Sequence, residues 1–378
     1  MNRLFIYCRL LQVPAWMLLA AIMGCAIDKG HGDTRYQAER PVGAAAAVQV
    51  GVAETVLSAK DRPYSWPDGT MGIVQAGEKY RFFAASAGYP IAAMGTLQNP
   101  IADGFRELKI ETGKKSFDYM AGGPVYKDAK TGLLLMFYHA EVYTFPPGYL
   151  PFYSEIGLAR SIDDGQTWTD MGIILAPHLS ERAPFFRIQG NSWDVGWGAY
   201  AIVGEYFYLY FADLLDAGGQ HARVNHAVAR ARISDVVNAA AQHGAISPWS
   251  KYYEGTWSEP GVGGKSSPLI EQTGEYFLLG DVSYNTYLKK YIAIVIGKPW
   301  PNTDLYWMES EDGLSWTNYQ KIVDDPGHKF YVTLVGEEEQ LRQSGKEFFL
   351  YYVHSHEFAT TGDRNQDGTV VRRRITVQ

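Results

Sequence analysis

Five short apolar, aromatic runs punctuate the chain: YRFFAAS from Tyr80, LLLMFYHAE from Leu133, YFYLYFAD from Tyr206, YFLLGDVS from Tyr276 and FFLYYVHS from Phe348. Each follows a small or turn-forming stretch, namely Gly77-Glu78-Lys79, Lys130-Thr131-Gly132, Gly204-Glu205, Gly274-Glu275 and Gly345-Lys346-Glu347. Ahead of those turns lies another β-prone run, such as TMGIVQA from Thr70 or YAIVG from Tyr200. The repeated unit is therefore strand, tight hairpin, second strand, followed by more polar strand material. The runs start 53, 73, 70 and 72 residues apart, enough for a four-stranded sheet each, and helical periodicity is almost absent. This predicts an all-β fold, a five-bladed β-propeller, because radial repetition leaves few free sheet edges. A two-sheet sandwich with long insertions is the alternative, and it does not account for the near-constant period.

The pattern breaks once, at the N-terminus. Arg3 and Arg9 precede the run LLQVPAWMLLAAIMG from Leu10 to Gly24, which has the length of a secretory apolar region and is too short for a membrane span. Residues 1–25 thus read as a leader. The sequence IMGC, ending at Cys25, resembles a bacterial lipobox, which implies acylation of Cys25 and a place in the periplasm or cell envelope; an ordinary signal peptide or an uncleaved anchor is the alternative. Residues 26–60, with GHGDTRYQAERPVGAAAA, read as a flexible tether, in which Val48, Val50 and Val52 alternate as a candidate closing strand; residues 61–378 are assigned to the propeller.

Composition adds three limits. At 46% hydrophobic and 20% charged residues, the chain can bury a substantial core. Its only cysteines, Cys8 and Cys25, lie in the leader, so the mature fold has no internal disulfide to rely on. Net charge is −7, or −9 without Arg3 and Arg9, and the single basic run is Arg372-Arg373-Arg374. Nucleic acid is excluded as a partner on that balance, and a monomer is expected.

The stretch SIDDGQTW, Ser161 to Trp168, matches the Asp-box pattern of propeller proteins, and a shorter copy runs from Ser310 through Asp312 and Gly313 to Trp316. Here an aspartate is expected to accept turn N–H groups, Gly165 to take a positive φ, and Trp168 to pack between strands. Asp163, Asp164 and Asp312 are read as parts of a latch between outer strands, away from the chemistry.

In a propeller the innermost strands surround one funnel, so side chains just ahead of them converge. The five stretches leading into those strands are read as SWPDGTMGI (Asp68), FDYMAGGPVY (Asp118), GNSWDVGWGAY (Asp194), WSEPGVGGKSSPL (Glu259, Lys265) and DPGHKFYVTL (Asp325, His328). With these stretches the chain resembles the five-bladed propeller glycosidases, the clan of arabinanases, β-xylosidases and invertase-like enzymes. Pro67-Asp68 stands where that group has Asp-Pro, Glu254-Gly255 and Glu259-Pro260 echo its Glu-Gly-Pro acid motif, and His328 corresponds to a histidine near the axis. Gly122-Gly123-Pro124-Val125 faces the position of its second-blade aspartate, with Asp118 displaced from it. Residues 197–269, with VARARISDVV and WSKYYEGTW, also look similar to a bacterial domain family related to endo-D-arabinanases.

The resemblance implies an exported glycoside hydrolase acting on a poly- or oligosaccharide with two carboxyl groups, one protonating the leaving oxygen and the other activating water or attacking carbon. Asp68 is the expected base. The acid is expected at Glu259 beside Trp257, or at Asp194 beside Trp193 and Trp197, with Glu259 preferred. Trp66, Trp193, Trp197 and Trp257 offer flat faces to sugar rings, with Asp118 and His328 as further substrate contacts. A non-catalytic propeller that binds a glycan or an envelope protein is the competing reading.

Other signals carry less. His139 and Glu141, and His354, His356 and Glu357, end two aromatic runs without metal-ligand spacing and are read as hydrogen-bonded structural groups. No cofactor is expected. Asp363, Asn365 and Asp367 resemble half of a calcium loop, but Arg374 stands where its bidentate glutamate belongs, which favours a hairpin turn. Phe186-Arg187-Ile188-Gln189 resembles a sialidase segment with its proline replaced and is ranked lowest.

Overall fold

The computed structural model describes residues 45–63, 65–86, 89–111, 117–143, 151–183, 191–217, 220–270, 278–297, 302–336, 341–356 and 368–378, with the side chains of 197, 216–225 and 278–279 outside that set. Residues 44–378 form one compact unit, and it is a five-bladed β-propeller.

Two short strands come first, β1 (Val48–Val50) and β2 (Glu54–Leu57). Blade one follows as an antiparallel meander of β3 (Gly72–Ala76), β4 (Lys79–Ser86), β5 (Tyr89–Gly95) and β6 (Phe105–Glu107). After β7 (Ile110–Glu111), blade two comprises β8 (Tyr119–Ala121) and β9 (Val125–Lys127), both pairing with β10 (Leu134–Tyr143), then β11 (Phe152–Ser161) and β12 (Trp168–Leu175). Blade three runs β13 (Ser192–Val203), β14 (Tyr206–Ala217), β15 (Gln220–Arg232), β16 (Ser250–Tyr253) and β17 (Thr256–Pro260), with a short helix, Ile233–Asn238, between the third and fourth. Blade four is β18 (Leu278–Asn285), β19 (Lys290–Gly297), β20 (Asp304–Ser310) and β21 (Thr317–Val323). Blade five takes β22 (His328–Gly336), β24 (Glu347–Ser355) and β25 (Thr369–Val377), while β23 (Gln343–Ser344) joins β18. Both β1 and β2 pair antiparallel with β25, so the ring ends on strands from the start of the domain.

Local chemistry explains these elements. The hairpins β3–β4 and β13–β14 close over two residues each, Gly77-Glu78 and Gly204-Glu205, with the glycine at φ +67° and +59°, a conformation that two-residue loops favour and side chains resist. The core is distributed between neighbouring blades. Val74 and Phe83 of blade one meet Leu134, Met136 and Tyr138 of blade two, and Tyr208 and Tyr210 of blade three meet Val282, Ala293 and Tyr306 of blade four. The aromatic runs are the strands that face a blade on either side, hence their near-continuous apolarity.

Polar fastenings complete the ring. The fully buried Asp281 of β18 accepts both terminal nitrogens of Arg342 at 2.8 and 2.9 Å and the N–H of Leu334 in β22, while Arg342 also donates to the Tyr200 carbonyl in β13. One ion pair thus ties blades three, four and five. In the Ser161–Trp168 turn, Asp163 accepts the N–H groups of Gln166 and Thr167 and the Thr167 hydroxyl, Gly165 sits at φ +81°, and Trp168 packs edge-on to Phe83 of blade one. Asp312 does the same for Leu314 and Ser315 between β20 and β21. Arg372, Arg373 and Arg374 pair with Glu54, Asp325 and Glu347, so the single basic run is a set of sheet fastenings.

One blade departs from the sequence-based expectation. YFLLGDVS was expected as the second strand of blade four, but residues 278–285 form its innermost strand, paired on one side with β19. The stretch WSEPGVGGKSSPL consequently does not lead into an inner strand. Its first part is β17, at the outer edge of blade three.

Candidate functional site

At the end of the ring where the inner strands begin, side chains from several blades meet. Asp68 lies just ahead of β3, its backbone N–H bonded to the Ala85 carbonyl of the partner strand, which fixes where the carboxyl leaves the chain. Its Oδ2 accepts the hydroxyl of Tyr119, from β8 of blade two, at 2.7 Å. Tyr119 in turn sets its ring edge-on to His139, with centroids 6.0 Å apart. Pairing of β8 with β10 places Glu141 opposite Tyr119 and His139 opposite Ala121, so His139 and Glu141 emerge on one face and bond at 3.1 Å, Nε2 to Oε1. Burial, and next the charge of Asp68, raise the Tyr119 phenol well above its ordinary value, so it stays a donor.

Blade three supplies the other side. Asp194 is the third residue of β13, and its Oδ1 accepts the Ser154 hydroxyl at 2.6 Å. The same hydroxyl oxygen accepts the N–H of Val195 at 2.8 Å, so β11 orients Asp194 through one serine. Asp213 stands opposite Val195 in β14 and accepts the Trp193 indole N–H at 2.7 Å and the Ser266 hydroxyl. From blade five, Tyr331 reaches Tyr119 electrostatically and holds φ +55° where β22 bulges, a backbone state that a bulky side chain adopts only under constraint.

Burial pushes the Asp194 carboxyl above its usual range, and the opposing pull of His139 and of the Ser154 hydrogen bond does not cancel it. For His139, burial works downward, but the bond to Glu141 and the charges of Asp194, Glu141 and Asp68 hold the imidazole above its ordinary value. Both Asp194 and Asp68 act on His139 by their charge. A carboxyl whose neutral form is favoured by desolvation, together with one that accepts a hydrogen bond, is the kind of pair that proton transfer to and from a substrate uses. Among the described residues no group of three or more His, Cys, Asp or Glu is arranged to hold a metal ion.

Of the residues expected from sequence, Asp68 and Asp194 are linked through Tyr119 and His139, and Trp193 lies behind Asp213; the other described ones stand apart. Glu259 is on β17 and accepts the N–H of Lys265 at 2.9 Å, at the outer edge of blade three, so it does not join Asp68. Trp257 lies on the same strand, packed against Tyr208 and Tyr252 with the Arg230 guanidinium over it. Trp66 is wholly buried in the core shared by blades one, four and five and offers no face to a ring. Trp193 is buried with its edge toward His178, and it acts on Asp213 through its N–H. Asp118 is exposed and accepts the N–H of Tyr143, fastening the end of β10. His328 opens β22, buried and stacked on Phe330 at 4.6 Å. The side chain of Trp197, and all of Cys25, Asp363, Asn365 and Asp367, lie outside the described residues, as does the segment Phe186 to Gln189.

Blade two explains why no aspartate stands at Gly122-Gly123. A Cβ at Gly123 would lie 2.2 Å from the Phe137 carbonyl oxygen, and one at Gly122 would lie 3.0 Å from Pro90 Cβ. At Gly123 the backbone passes too close to β10 for a side chain, and polar groups arrive from β8 and β10 instead. Sequence reasoning therefore missed Tyr119, Ser154, Asp213 and Ser266 and read His139 and Glu141 as structural. The available signal was a polar residue ending an apolar run, as in YFYLYFAD and LLLMFYHAE, at the level where the partner strand starts.

No protein-family model matches the chain, and no characterised protein matches its sequence. Solved structures do. The α-L-arabinofuranosidase from Lactobacillus brevis aligns with a TM-score of 0.50 at 10% identity, over 84% of this chain and 91% of that one. The catalytic domain of a family 62 glycoside hydrolase, an α-L-arabinofuranosidase from Coprinopsis cinerea, gives 0.49 at 11% identity over 88% and 98%. A family 117 glycoside hydrolase from Zobellia galactanivorans gives 0.49 at 9% identity over 88% and 90%. At such identities the likeness is one of fold, the five-bladed β-propeller.

Proposed function

We propose that this protein is a glycoside hydrolase in which Asp194 gives a proton to the leaving glycosidic oxygen and Asp68 serves as base toward water. The observation that carries the reading is the pairing of environments around the axial end of the ring. Asp194 is half-buried, and desolvation raises its carboxyl above the usual range, while Asp68, linked to it through Tyr119 and His139, is hydrogen-bonded as an acceptor. The fold of the arabinofuranosidases and of the family 117 hydrolase supports a saccharide as substrate. In the proposed cycle Asp68 takes a proton from the attacking water, the glycosidic C–O bond breaks, and Asp194 donates its proton to the departing oxygen. Solvent then returns the proton from Asp68 to Asp194. We also infer that the enzyme works outside the cytoplasm, held to the envelope by lipid on Cys25.

A second reading rests on one observation: the inner strand of blade two leaves no room for a carboxylate, which fits a propeller that binds a glycan or an envelope protein without cleaving it. One experiment separates the two. Purified protein and its Asp68→Asn and Asp194→Asn variants are incubated with arabinan, xylan, agar oligosaccharides and sialosides, and new reducing ends are measured. Hydrolysis of at least one glycan by the native protein, lowered about 100-fold or more in both variants, supports catalysis. Binding without cleavage supports the second reading, and equal turnover by all three proteins removes both aspartates from the chemistry.

A further inference from the structure

His139 has one nitrogen employed and one not. Nε2 is 3.1 Å from Glu141 Oε1, whereas Nδ1 is buried and has no hydrogen-bond partner. Orphaned polar atoms of this kind are uncommon inside proteins, because desolvation is not repaid. The side chain is 19% exposed and Glu141 17%, so water does little to compensate.

The space beside the Nδ1–Cε1 edge of the ring is defined by a glycine. A Cβ built on Gly196 of β13 would lie 3.1 Å from His139 Nδ1, 3.1 Å from His139 Cε1 and 2.5 Å from Asp194 Oδ1. The imidazole nitrogen of blade two and the carboxyl oxygen of blade three thus border one small space, which exists because residue 196 lacks a side chain. Around the imidazole stand Glu141 on its own strand, Tyr119 on β8, Asp194 on β13 and Asp68 ahead of β3. Three of these four groups are carboxyls, and each of them raises the imidazole.

We propose that His139 is a positioning residue for Asp194: anchored through Nε2 by Glu141, it turns its Nδ1–Cε1 edge to the space at Gly196 that the Asp194 carboxyl also borders, and through its charge it governs when that carboxyl holds its proton. The inference rests on the acid role given to Asp194 under Proposed function. Before bond cleavage the proton resides on Asp194. As it passes to the glycosidic oxygen, the new carboxylate meets the imidazolium, and His139 itself gives up no proton. Blade two, with no room for an aspartate on its inner strand, contributes a histidine–glutamate pair from the next strand instead. Without the imidazolium the Asp194 carboxylate is less stabilised, so Asp194 holds its proton to higher pH and yields it less readily.

Two measurements test this. In the first, the imidazole of His139 is followed by NMR across pH, its signal identified by its loss in His139→Gln. Its midpoint is expected above the ordinary value of about 6.5 and should fall by about one pH unit in Asp194→Asn. An unchanged midpoint in that variant overturns the proposal, whether or not any glycan is hydrolysed. In the second, the pH profile of kcat is recorded on a hydrolysed glycan. His139→Gln should lower kcat about tenfold or more with little change in KM and move the alkaline limb up by about one pH unit, since loss of the cation lets Asp194 keep its proton longer. Gly196→Ala, which separates the two groups without removing either, should move the limb the same way. A lower kcat with an unmoved limb in His139→Gln means a merely structural histidine and overturns the proposal. Absence of hydrolysis by the native protein refutes the glycosidase reading alone, and the NMR midpoints then decide the pairing.

Discussion

Arg342→Leu tests the device that holds the acids of different blades in one place. Asp281 is fully buried and accepts four hydrogen bonds, two from Arg342 and one each from the N–H groups of Val282 and Leu334. Leucine fills much of the arginine's volume but strands a carboxylate with two backbone donors, and removing one partner of a buried ion pair costs about 3–5 kcal/mol. The carbonyls of Tyr200 and Val282 lose donors as well. A domain of about 330 residues unfolds with an entropy of about 0.7 kcal/mol per kelvin, so the expected fall in Tm is about 4–7 °C. Thermal unfolding followed by circular dichroism reads this, with urea denaturation at unchanged m-value showing that the native state, and not the unfolded one, was altered. Adding Asp281→Asn to Arg342→Leu removes the stranded charge and should recover part of the loss. A fall of under 1 °C in the single variant would show that the ring is not tied at this point.

Three further outcomes follow from the geometry. Tyr119→Phe deletes the donor on Asp68 and should lower kcat/KM about tenfold, the equivalent of one hydrogen bond, with Tm lowered by no more than about 4 °C; an undiminished rate would remove Tyr119 from the site. Glu259→Gln, on an outer strand, should leave hydrolysis within about twofold of native, and a loss like that of Asp194→Asn would reinstate the outer strand as the source of the acid. Burial works to raise Asp163, but hydrogen bonds from the Thr167 hydroxyl and N–H, the Ser161 hydroxyl and the Gln166 N–H bring it down to about 2. That lies below the value of about 3.9 in an unfolded chain, so its stabilising contribution is complete above pH 4 and disappears as pH falls through 2; Asp163→Ala should flatten the stability–pH curve in that window.

The spacing of aromatic runs was sufficient to read five blades, since each run needs an apolar neighbour on both faces wherever it sits in the ring. It was insufficient for blade four, because the run that begins at Tyr276 is itself the innermost strand, residues 278–285, and no separate β-prone run precedes it. That one-strand slip placed Glu259 at the axis on paper, while β16 and β17 carry it to the rim. Asp68 and Asp194 were accessible to sequence reasoning because both lie at the start of an inner strand. Tyr119, Ser154 and Asp213 were not, since each reaches the site through pairing with a partner strand, and register is a property of the folded sheet. The gap at Gly196 is likewise invisible until two blades are adjacent.

The central claim, that ring closure delivers Asp194 as the proton donor opposite Asp68, is tested most directly by leaving-group dependence. Asp194→Asn is compared with the native protein on an oligosaccharide and on the matching 2,4-dinitrophenyl glycoside, whose leaving group departs without a proton. The account predicts a loss of about 100-fold or more on the oligosaccharide and of less than about fivefold on the activated glycoside, with Asp68→Asn impaired on both. Equal losses of Asp194→Asn on the two substrates would contradict it.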